Sequence, residues 1–190
     1  MKAIGFTHSL GIDETQSLFE FDVPDPVANG RDLLVDVKAV SVNPADAKRR
    51  IRTAVDTPHE APLVLGYDAV GVVAAVGSDV TNFAVGDEVW YAGDPTRSGS
   101  NAQRQLVDER VVGRKPKNLS WAEAAAMPLT GLTSFEMLFD RFCITEGSGK
   151  GKSLLVIGGA GGVGSLTIQL ARKLTDLTVI ATASRPETAE

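Results

Sequence analysis

The sequence has few of the residues that form disulfides or hold zinc. It contains one cysteine, Cys143, and two histidines, His8 and His59, among 190 residues. A single cysteine excludes an internal disulfide, and so few thiols and imidazoles leave little for a zinc site. We therefore expect a protein of a reducing, cytoplasmic compartment with no bound metal.

Excess positive charge and long apolar runs are absent as well. The chain has 19 lysines and arginines against 24 aspartates and glutamates, for a formal net charge of -5. A nucleic-acid surface would need a basic excess. The longest apolar run, Ala69–Gly77, is about half of the roughly 18–20 residues that span a bilayer. The N-terminus has no apolar signal core, so we expect no nucleic-acid partner, no membrane segment and no export.

The composition is that of a globular chain, with 43% hydrophobic and 23% charged residues, and its first part predicts short strands. Leu33–Val42 alternates apolar and polar residues, and Ala69–Val76 is a continuous apolar run that a glycine turn closes. Such strands, joined by Gly, Pro and Asp turns, favour a barrel. The pattern then changes to helices, beginning with a capping box at Ser120–Glu123. We place one domain at residues 1–118 and a second at 119–190.

The C-terminal quarter predicts a strand, a glycine-rich loop, a helix and a second strand. Ser153–Ile157 and Leu177–Ala183 are short apolar runs, and Ser165–Leu174 between them has one apolar helical face. This order is a parallel βαβ unit. The predicted fold class is therefore α/β plus β, a β-barrel domain followed by a partial Rossmann domain.

The glycine-rich loop, Gly159–Gly164, reads GAGGVG and matches the GxGxxG pattern of dinucleotide sites. The pattern alone is weak, but its place between a strand and a helix is the context that dinucleotide binding requires. We expect Gly159 to permit a tight turn, Gly161 to leave room for a diphosphate and Gly164 to allow close packing. The alternative is a glycine turn that binds nothing.

The end of the second strand bears on which dinucleotide binds. An NAD site places an acid there, about 20 residues past the glycines, to bind the ribose 2′-hydroxyl. This sequence has Ser184 and Arg185 instead. A guanidinium pairs with a 2′-phosphate, and the serine adds a donor, so we expect NADPH. Glu187, beyond Pro186, is expected to point away; the alternative is that Arg185 is an ordinary surface arginine.

Four stretches carry a resemblance to a known family: Val40–Asp46, Gly66–Val73, Pro128–Thr133 and Gly158–Leu170. With the β-rich first part, they resemble the medium-chain dehydrogenase/reductase superfamily, and within it the quinone oxidoreductase branch and the zinc-type alcohol dehydrogenase-like proteins. The resemblance implies a GroES-like catalytic domain, then a Rossmann domain, with the active site in the cleft between them. It also implies about as much chain again after Glu190, and a homodimer of the complete protein.

The positions that hold catalytic zinc in that superfamily are altered here. By the matching motifs, Asn43 stands where the zinc members have a cysteine, and Tyr67 and Asp68 stand where they have a His-Glu pair. Neutral amide and phenol groups are poor zinc ligands, so we expect a zinc-free site.

The resemblance also implies which residues surround the substrate. Asn43, Asp46, Lys48 and Tyr67 would line the nicotinamide and substrate pocket, and Thr130 would contact the nicotinamide. The Tyr67 hydroxyl, the Asn43 amide and the Lys48 ammonium are then the donors available to a developing oxyanion. Each residue also has a structural alternative: helix capping for Asp46 and Thr130, packing for Tyr67 and a solvated arm for Lys48.

These observations favour a zinc-independent oxidoreductase that transfers hydride from NADPH to a quinone or to an activated C=C or C=O bond of a small molecule. Two alternatives are a zinc-dependent alcohol dehydrogenase and an NADP-binding sensor or structural protein without turnover. The residues expected to bind the cofactor are Gly159, Gly161, Gly162, Val163, Gly164, Ser184, Arg185 and Thr130.

Overall fold

The computed structural model describes residues 1–188, which form two compact units divided after Pro128. The first unit contains, in chain order, β1 (Lys2–Phe6), β2 (Phe19–Asp22), β3 (Asp32–Val40), α1 (Pro44–Arg52), β4 (Leu63–Val64), β5 (Ala69–Val76), β6 (Glu88–Tyr91), β7 (Arg104–Asp108), a 3-10 turn (Glu109–Val111), β8 (Val112–Arg114) and α2 (Trp121–Ala125). The sequence predicted a boundary at residue 118, whereas α2 packs on β3, β5 and β6 and so lies with the first unit.

Two antiparallel sheets build the first unit. One has the strand order β7-β3-β5-β6-β8 and the other the order β2-β1-β4. The predicted strand at Leu33–Val42 is observed as β3, and the apolar run Ala69–Val76 is β5 at the predicted bounds. The β-rich first part of the fold prediction is therefore confirmed.

The apolar sequence in the first part of β5 has a packing explanation, because both faces of the strand are covered there. One face contributes Ala69 and Val73 to the main core, where they pack with buried residues of β3, β6 and β7. The opposite face presents Val70 to Ala124 and Ala125 of α2. A strand buried on both faces needs apolar residues at every position, whereas the half-buried β3 alternates.

A buried carboxylate, that of Glu109, joins three separate segments of the first unit. Its side chain accepts hydrogen bonds from the backbone amides of Asn82 at 2.9 Å and Thr81 at 3.0 Å, and from Arg31 Nη1 at 2.8 Å. The amide of Asn82 contributes most to lowering the pKa of Glu109 below its ordinary value, with help from Thr81 and Arg31 against the opposing effect of burial. This carboxylate fixes the turn after β5.

The second unit begins with the helical segment α3 (Pro128–Glu136), which continues into a π-helical turn (Met137–Arg141). It then contains β9 (Ser153–Val156), α4 (Gly162–Leu174), β10 (Thr178–Ala181) and a 3-10 turn (Pro186–Thr188). β9 and β10 pair in parallel, with Ser153 opposite Thr178 and Val156 opposite Ala181. The predicted βαβ unit is therefore confirmed.

The second unit leaves apolar side chains uncovered. Leu155 and Ile180, paired across the two strands, are 58% and 52% exposed, and Ile157 is 81% exposed. Cys143 is exposed as well, in the left-handed region at a φ of 52°. The apolar neighbours Phe142 and Ile144 would suggest a buried thiol, but the chain leaves the π-helical turn just before Cys143 and the side chain is exposed.

Within residues 1–188, no helix combines the length and the hydropathy that a bilayer crossing requires.

We expect Glu109→Gln to lower the thermal unfolding midpoint at pH 7, because an amide accepts more weakly than a carboxylate and turns an N–H toward other donors. Since the native pKa of Glu109 is depressed, its contribution is full above the unfolded pKa of about 4.3 and is lost as the pH falls through the native value. The difference between parent and variant midpoints should therefore shrink below about pH 4.

Circular dichroism melts from neutral to acidic pH measure this difference. Glu146→Gln, at an exposed glutamate of the second unit, is the matched control and should leave the midpoint unchanged. If Glu109→Gln lowered the unfolding midpoint as much at acidic pH as at pH 7, the ionic role of this residue would be contradicted.

Candidate functional site

The glycine-rich loop connects β9 to the start of α4. Gly161 is the N-cap of α4, with a φ of -76°, and no side chain caps this helix end. The first amides of a helix have no intrahelical acceptor, and the positive end of the helix dipole lies there as well. The predicted residues Gly162, Val163 and Gly164 form this first turn, and Gly161 and Gly162 are exposed. The arrangement suits an anionic group.

Two glycines of this loop are required by packing. A Cβ on Gly159 would lie 2.9 Å from Ala181 Cβ and 3.0 Å from Ile168 Cδ1, and a Cβ on Gly164 would collide with the Gly158 carbonyl oxygen. The predicted packing role of Gly164 thus has a direct steric cause. The left-handed residue of the turn is Gly158, with a φ of 73°, which directly precedes the glycine that was expected to permit the tight turn.

Gly161 differs from these two glycines because no neighbouring group requires it. A Cβ there would meet only the Gly158 carbonyl oxygen, at 3.4 Å, which is close to ordinary van der Waals contact. The space above this Cα is therefore open toward solvent. A glycine with open space, at an uncapped helix N-terminus, permits a ligand to approach the backbone closely.

The segment after β10 is joined to the same loop. Gly158 N donates to Thr182 Oγ1 at 3.0 Å, and Gly159 N donates to the Thr182 carbonyl at 2.8 Å. Ser184 and Arg185 follow directly and are exposed. Arg185 Nε lies 3.7 Å from Glu187 Oε1, so the prediction that Glu187 points away is wrong; the 3-10 turn that begins at Pro186 carries this carboxylate back toward Arg185.

Thr130 lies beside the first turn of α4. A Cβ on Gly162 would be 3.1 Å from Thr130 Cγ2. The buried Ser134 hydroxyl fixes this position, because its Oγ lies 3.0 Å from the Val163 carbonyl and 2.8 Å from the Thr130 carbonyl. Sequence reasoning missed Ser134, since a serine inside a helix gives no signal of a partner 29 residues away.

In the first unit, four polar residues form what we term the buried polar cluster: Asn43, Asp46 and Asp68, which are buried, and Ser41, which is half-buried. Asp68 is fully buried, and its Oδ2 accepts from Ser41 Oγ at 2.7 Å and from Asn43 Nδ2 at 2.8 Å. Asn43 is buried at the N-cap of α1. The amide nitrogen that the resemblance assigned to the substrate pocket therefore donates to Asp68.

Asp46 contributes to this cluster through backbone contacts. Its Oδ2 accepts from Asn43 N at 2.8 Å, and its Oδ1 accepts from Gly66 N at 3.1 Å. Both carboxylate oxygens are thus occupied by amides, and the side chain is buried. The capping alternative for Asp46 describes these contacts, and the same carboxylate also ties α1 to the segment before Tyr67.

Tyr67 is half-buried between two anchored neighbours. Gly66 donates its amide to Asp46, and its carbonyl accepts from Ser100 N at 3.1 Å. On the other side, the Asp68 carbonyl accepts from Ser100 Oγ at 3.0 Å. The backbone on both sides of Tyr67 is therefore fixed by buried hydrogen bonds.

Lys48 lies on α1 and is exposed. The basic run that contains it is not uniformly solvated, because Arg50 is buried and its Nη1 donates to the Leu10 carbonyl at 2.8 Å. One arginine of the run thus holds an N-terminal loop against α1, while Lys48 extends into solvent.

The donors and acceptors around Asn43 and Asp68 do not resemble a metal centre. Among residues 1–188, no three His, Cys, Asp or Glu side chains lie close enough together to hold a metal ion. The carboxylate oxygens of Asp46 and the Oδ2 of Asp68 already accept hydrogen bonds from donors that a zinc ion would have to displace.

Comparison with known proteins was made for the whole chain. A family model described as the alcohol dehydrogenase GroES-like domain matches residues 29–136. A zinc-type alcohol dehydrogenase-like protein of Staphylococcus epidermidis is 50% identical over 99% of this chain and 55% of its own length. The NADPH-dependent alkenal/one oxidoreductase of Arabidopsis thaliana is 39% identical over 100% of this chain and 49% of its own. The chain thus spans about half the length of these relatives.

Solved structures agree with these relatives. A Rhizobium etli protein of the zinc-dependent alcohol dehydrogenase type superposes with a TM-score of 0.89 at 53% identity, over 99% of this chain and 54% of its own. The quinone oxidoreductase of Thermus thermophilus, solved also in complex with NADPH, gives 0.75 at 31% identity, over 99% of this chain and 55% of its own.

We expect Gly164→Ala to lower the free energy of unfolding by about 1–3 kcal/mol, because its Cβ would force the Gly158 backbone to move. Gly161→Ala should lower it by less than about 1 kcal/mol, the usual scale of an N-cap change, because its Cβ has space. Urea unfolding of the two variants measures both values. Equal losses of unfolding free energy in the two variants would contradict the distinction between a packed Gly164 and an open Gly161.

Proposed function

Since the chain belongs to the alcohol dehydrogenase GroES-like family, within the medium-chain dehydrogenase/reductase superfamily, we propose that it is part of a zinc-independent, NADPH-dependent oxidoreductase. Its substrates would be small molecules that accept hydride, either quinones or compounds with an activated C=C or C=O bond. The observation that carries this proposal is the open Cα of Gly161 at the uncapped start of α4, inside a parallel βαβ unit. A diphosphate can contact backbone amides there without steric obstruction.

The choice of NADPH rests on the segment that follows β10. An exposed arginine and a serine, Arg185 and Ser184, stand beyond the strand edge to which the glycine loop is bonded. Arginine suits a 2′-phosphate because the planar guanidinium carries several N–H donors and pairs with phosphate oxygens in a bidentate way. The names of the Arabidopsis relative and of the Thermus structure, which include NADPH, support the same choice.

The zinc-free part of the proposal rests on the chemistry of the donor set. The family includes zinc-type proteins, yet Asn43 presents an amide N–H to Asp68 and Tyr67 presents a phenol. Both carboxylate oxygens of Asp46 accept hydrogen bonds from backbone amides. None of these groups is available as the thiolate or imidazole that zinc prefers.

In the proposed reaction, bound NADPH supplies the hydride. The chain's own residues hold the cofactor and stabilise the charge that appears on the substrate oxygen. The first turn of α4 would bind the diphosphate, Arg185 would bind the 2′-phosphate, and Thr130, beside that turn, would contact the nicotinamide. Tyr67, half-buried and with its backbone fixed on both sides, would donate a hydrogen bond from its hydroxyl to the oxygen as negative charge develops, with the exposed Lys48 as a further donor.

We expect the intact protein to oxidise NADPH in the presence of a quinone or an enone, with the loss of NADPH absorbance as the measurement. Turnover should survive treatment with a chelator, and the purified protein should contain far less than one zinc per chain by elemental analysis. Tight NADPH binding without any acceptor turnover would indicate a sensor or structural protein. Activity that a chelator removes and zinc restores would indicate an alcohol dehydrogenase of the zinc type.

We expect Arg185→Ala to weaken NADPH binding by about 1.5–3 kcal/mol, the usual value of a hydrogen bond to a charged group, or roughly 10- to 150-fold in Kd. NADH binding should change little, because NADH lacks the 2′-phosphate. Cofactor fluorescence titration measures both constants. Arg172→Ala, at an exposed arginine in the last turn of α4, is the control and should leave both unchanged. An equal loss for NADH and NADPH would contradict the assignment.

A further inference from the structure

We infer that the buried polar cluster is a scaffold that positions the Tyr67 hydroxyl, with Asp68 as its central positioning residue. The inference rests on the proposed function, in which Tyr67 donates to the substrate oxygen. It changes the role of Asn43 and Asp46, which the resemblance placed in the substrate pocket, from groups that touch substrate to groups that hold the backbone on which Tyr67 is carried.

Burial separates three members of the cluster from Tyr67. Asp68 is 0% exposed, and Asp46 and Asn43 are 5% and 6% exposed, whereas Tyr67 is half-buried. Asp46 and Asn43 present little surface to a substrate, and the Asp68 side chain, which has none, cannot contact one that arrives from solvent. Its influence on a reaction must therefore pass through a neighbour that does reach the surface.

The hydrogen bonds of the cluster converge on the two residues that flank Tyr67. Asp46 Oδ1 accepts from the Gly66 amide, and Asp68 Oδ2 accepts from Ser41 and Asn43. Asn43 connects the two carboxylates, because its backbone N donates to Asp46 and its side-chain amide donates to Asp68. Tyr67 thus stands between two carboxylates that share one asparagine.

The opposite side of the segment is fixed as well. Ser100 donates its backbone N to the Gly66 carbonyl and its hydroxyl to the Asp68 carbonyl. Gly66 has a φ of 109°, which side chains rarely adopt, and a Cβ there would lie 2.9 Å from Asn101 N. A change in the backbone path on either side of Tyr67 would therefore break at least one of these hydrogen bonds.

Burial of a carboxylate is costly, and a cluster of apolar residues would stabilise the fold at least as well. The carboxylate of Asp68 instead fixes the direction of the groups around it, because Ser41 Oγ and Asn43 Nδ2 both donate to its Oδ2, at 2.7 and 2.8 Å. A donor aimed at a developing oxyanion depends on such direction, and a displacement of about 1 Å can cost about 100-fold in rate.

A double-mutant cycle in the intact protein tests the scaffold. We expect Asp68→Asn to lower kcat by about 10- to 100-fold, the scale of a misplaced group, with the NADPH dissociation constant unchanged. In the Tyr67→Phe background, the same substitution should change kcat by less than about two-fold, because the hydroxyl it positions is already gone. Equal losses in both backgrounds would overturn the inference, as would an unchanged kcat in Asp68→Asn.

The control is Glu109→Gln, which alters another fully buried carboxylate that accepts from backbone amides and is remote from Tyr67 in the hydrogen-bond network. It should lower stability, leave kcat unchanged and show no coupling to Tyr67→Phe.

If Asp68→Asn does not fold, Ser41→Ala takes its place, since it removes a donor to Asp68 Oδ2 and should lower kcat by a smaller factor. Asn43→Ala must also couple to Tyr67→Phe; independent losses would show that Asn43 touches substrate and would overturn its positioning role.

A second measurement does not depend on activity. Fluorotyrosine placed site-specifically at position 67, and in a second sample at position 91, gives one assigned fluorine NMR signal for each tyrosine. Tyr91 is fully buried and serves as the reference signal. Asp68→Asn should shift or broaden the Tyr67 signal, and Glu109→Gln should not. An unmoved Tyr67 signal overturns the scaffold, whereas a moved signal in a protein without turnover keeps the scaffold and overturns the proposed function.

Discussion

The first turn of α4 lies so close to the loop before it that no side chain fits between them. Gly164 rests against the Gly158 carbonyl, and Gly159 rests against Ala181 and Ile168. This contact decides where the helix begins and in which direction its first amides point. Thr182 holds the same loop to the end of β10, so the position of Arg185 depends on it as well. The cofactor site proposed for this unit is a consequence of backbone packing more than of any functional side chain.

The first unit uses its buried carboxylates in another way. Asp46, Asp68 and Glu109 are buried, and all three accept from backbone amides or from neutral and charged side chains of distant segments. Each carboxylate exchanges its hydrogen bonds with water for several hydrogen bonds within the protein. These bonds fix loops that the apolar core does not reach. Polar residues that would suggest catalysis by their type alone are thus part of the framework, and the half-buried Tyr67 is left at its edge.

The sequence predicted those features that have a local cause. The apolar run of β5, the capping box of Ser120 and Glu123 and the glycine pattern before α4 all lie within short windows, and the structure contains all three. The pairing of Asn43 with Asp68 joins residues 25 apart, and no periodicity reports such a contact. The strand and helix content was therefore predictable, whereas the direction of polar side chains depends on how the sheet folds over and could not be read from the sequence.

The hydrogen bond between Asn43 and Asp68 has a consequence for any attempt to introduce a zinc ligand at position 43. Asn43→Cys would remove a donor to Asp68 Oδ2, leaving a fully buried carboxylate with poorer compensation before any metal had arrived. A metal ligand introduced at this position alone is therefore expected to give a less stable protein. The surrounding polar network has to be exchanged along with the ligands.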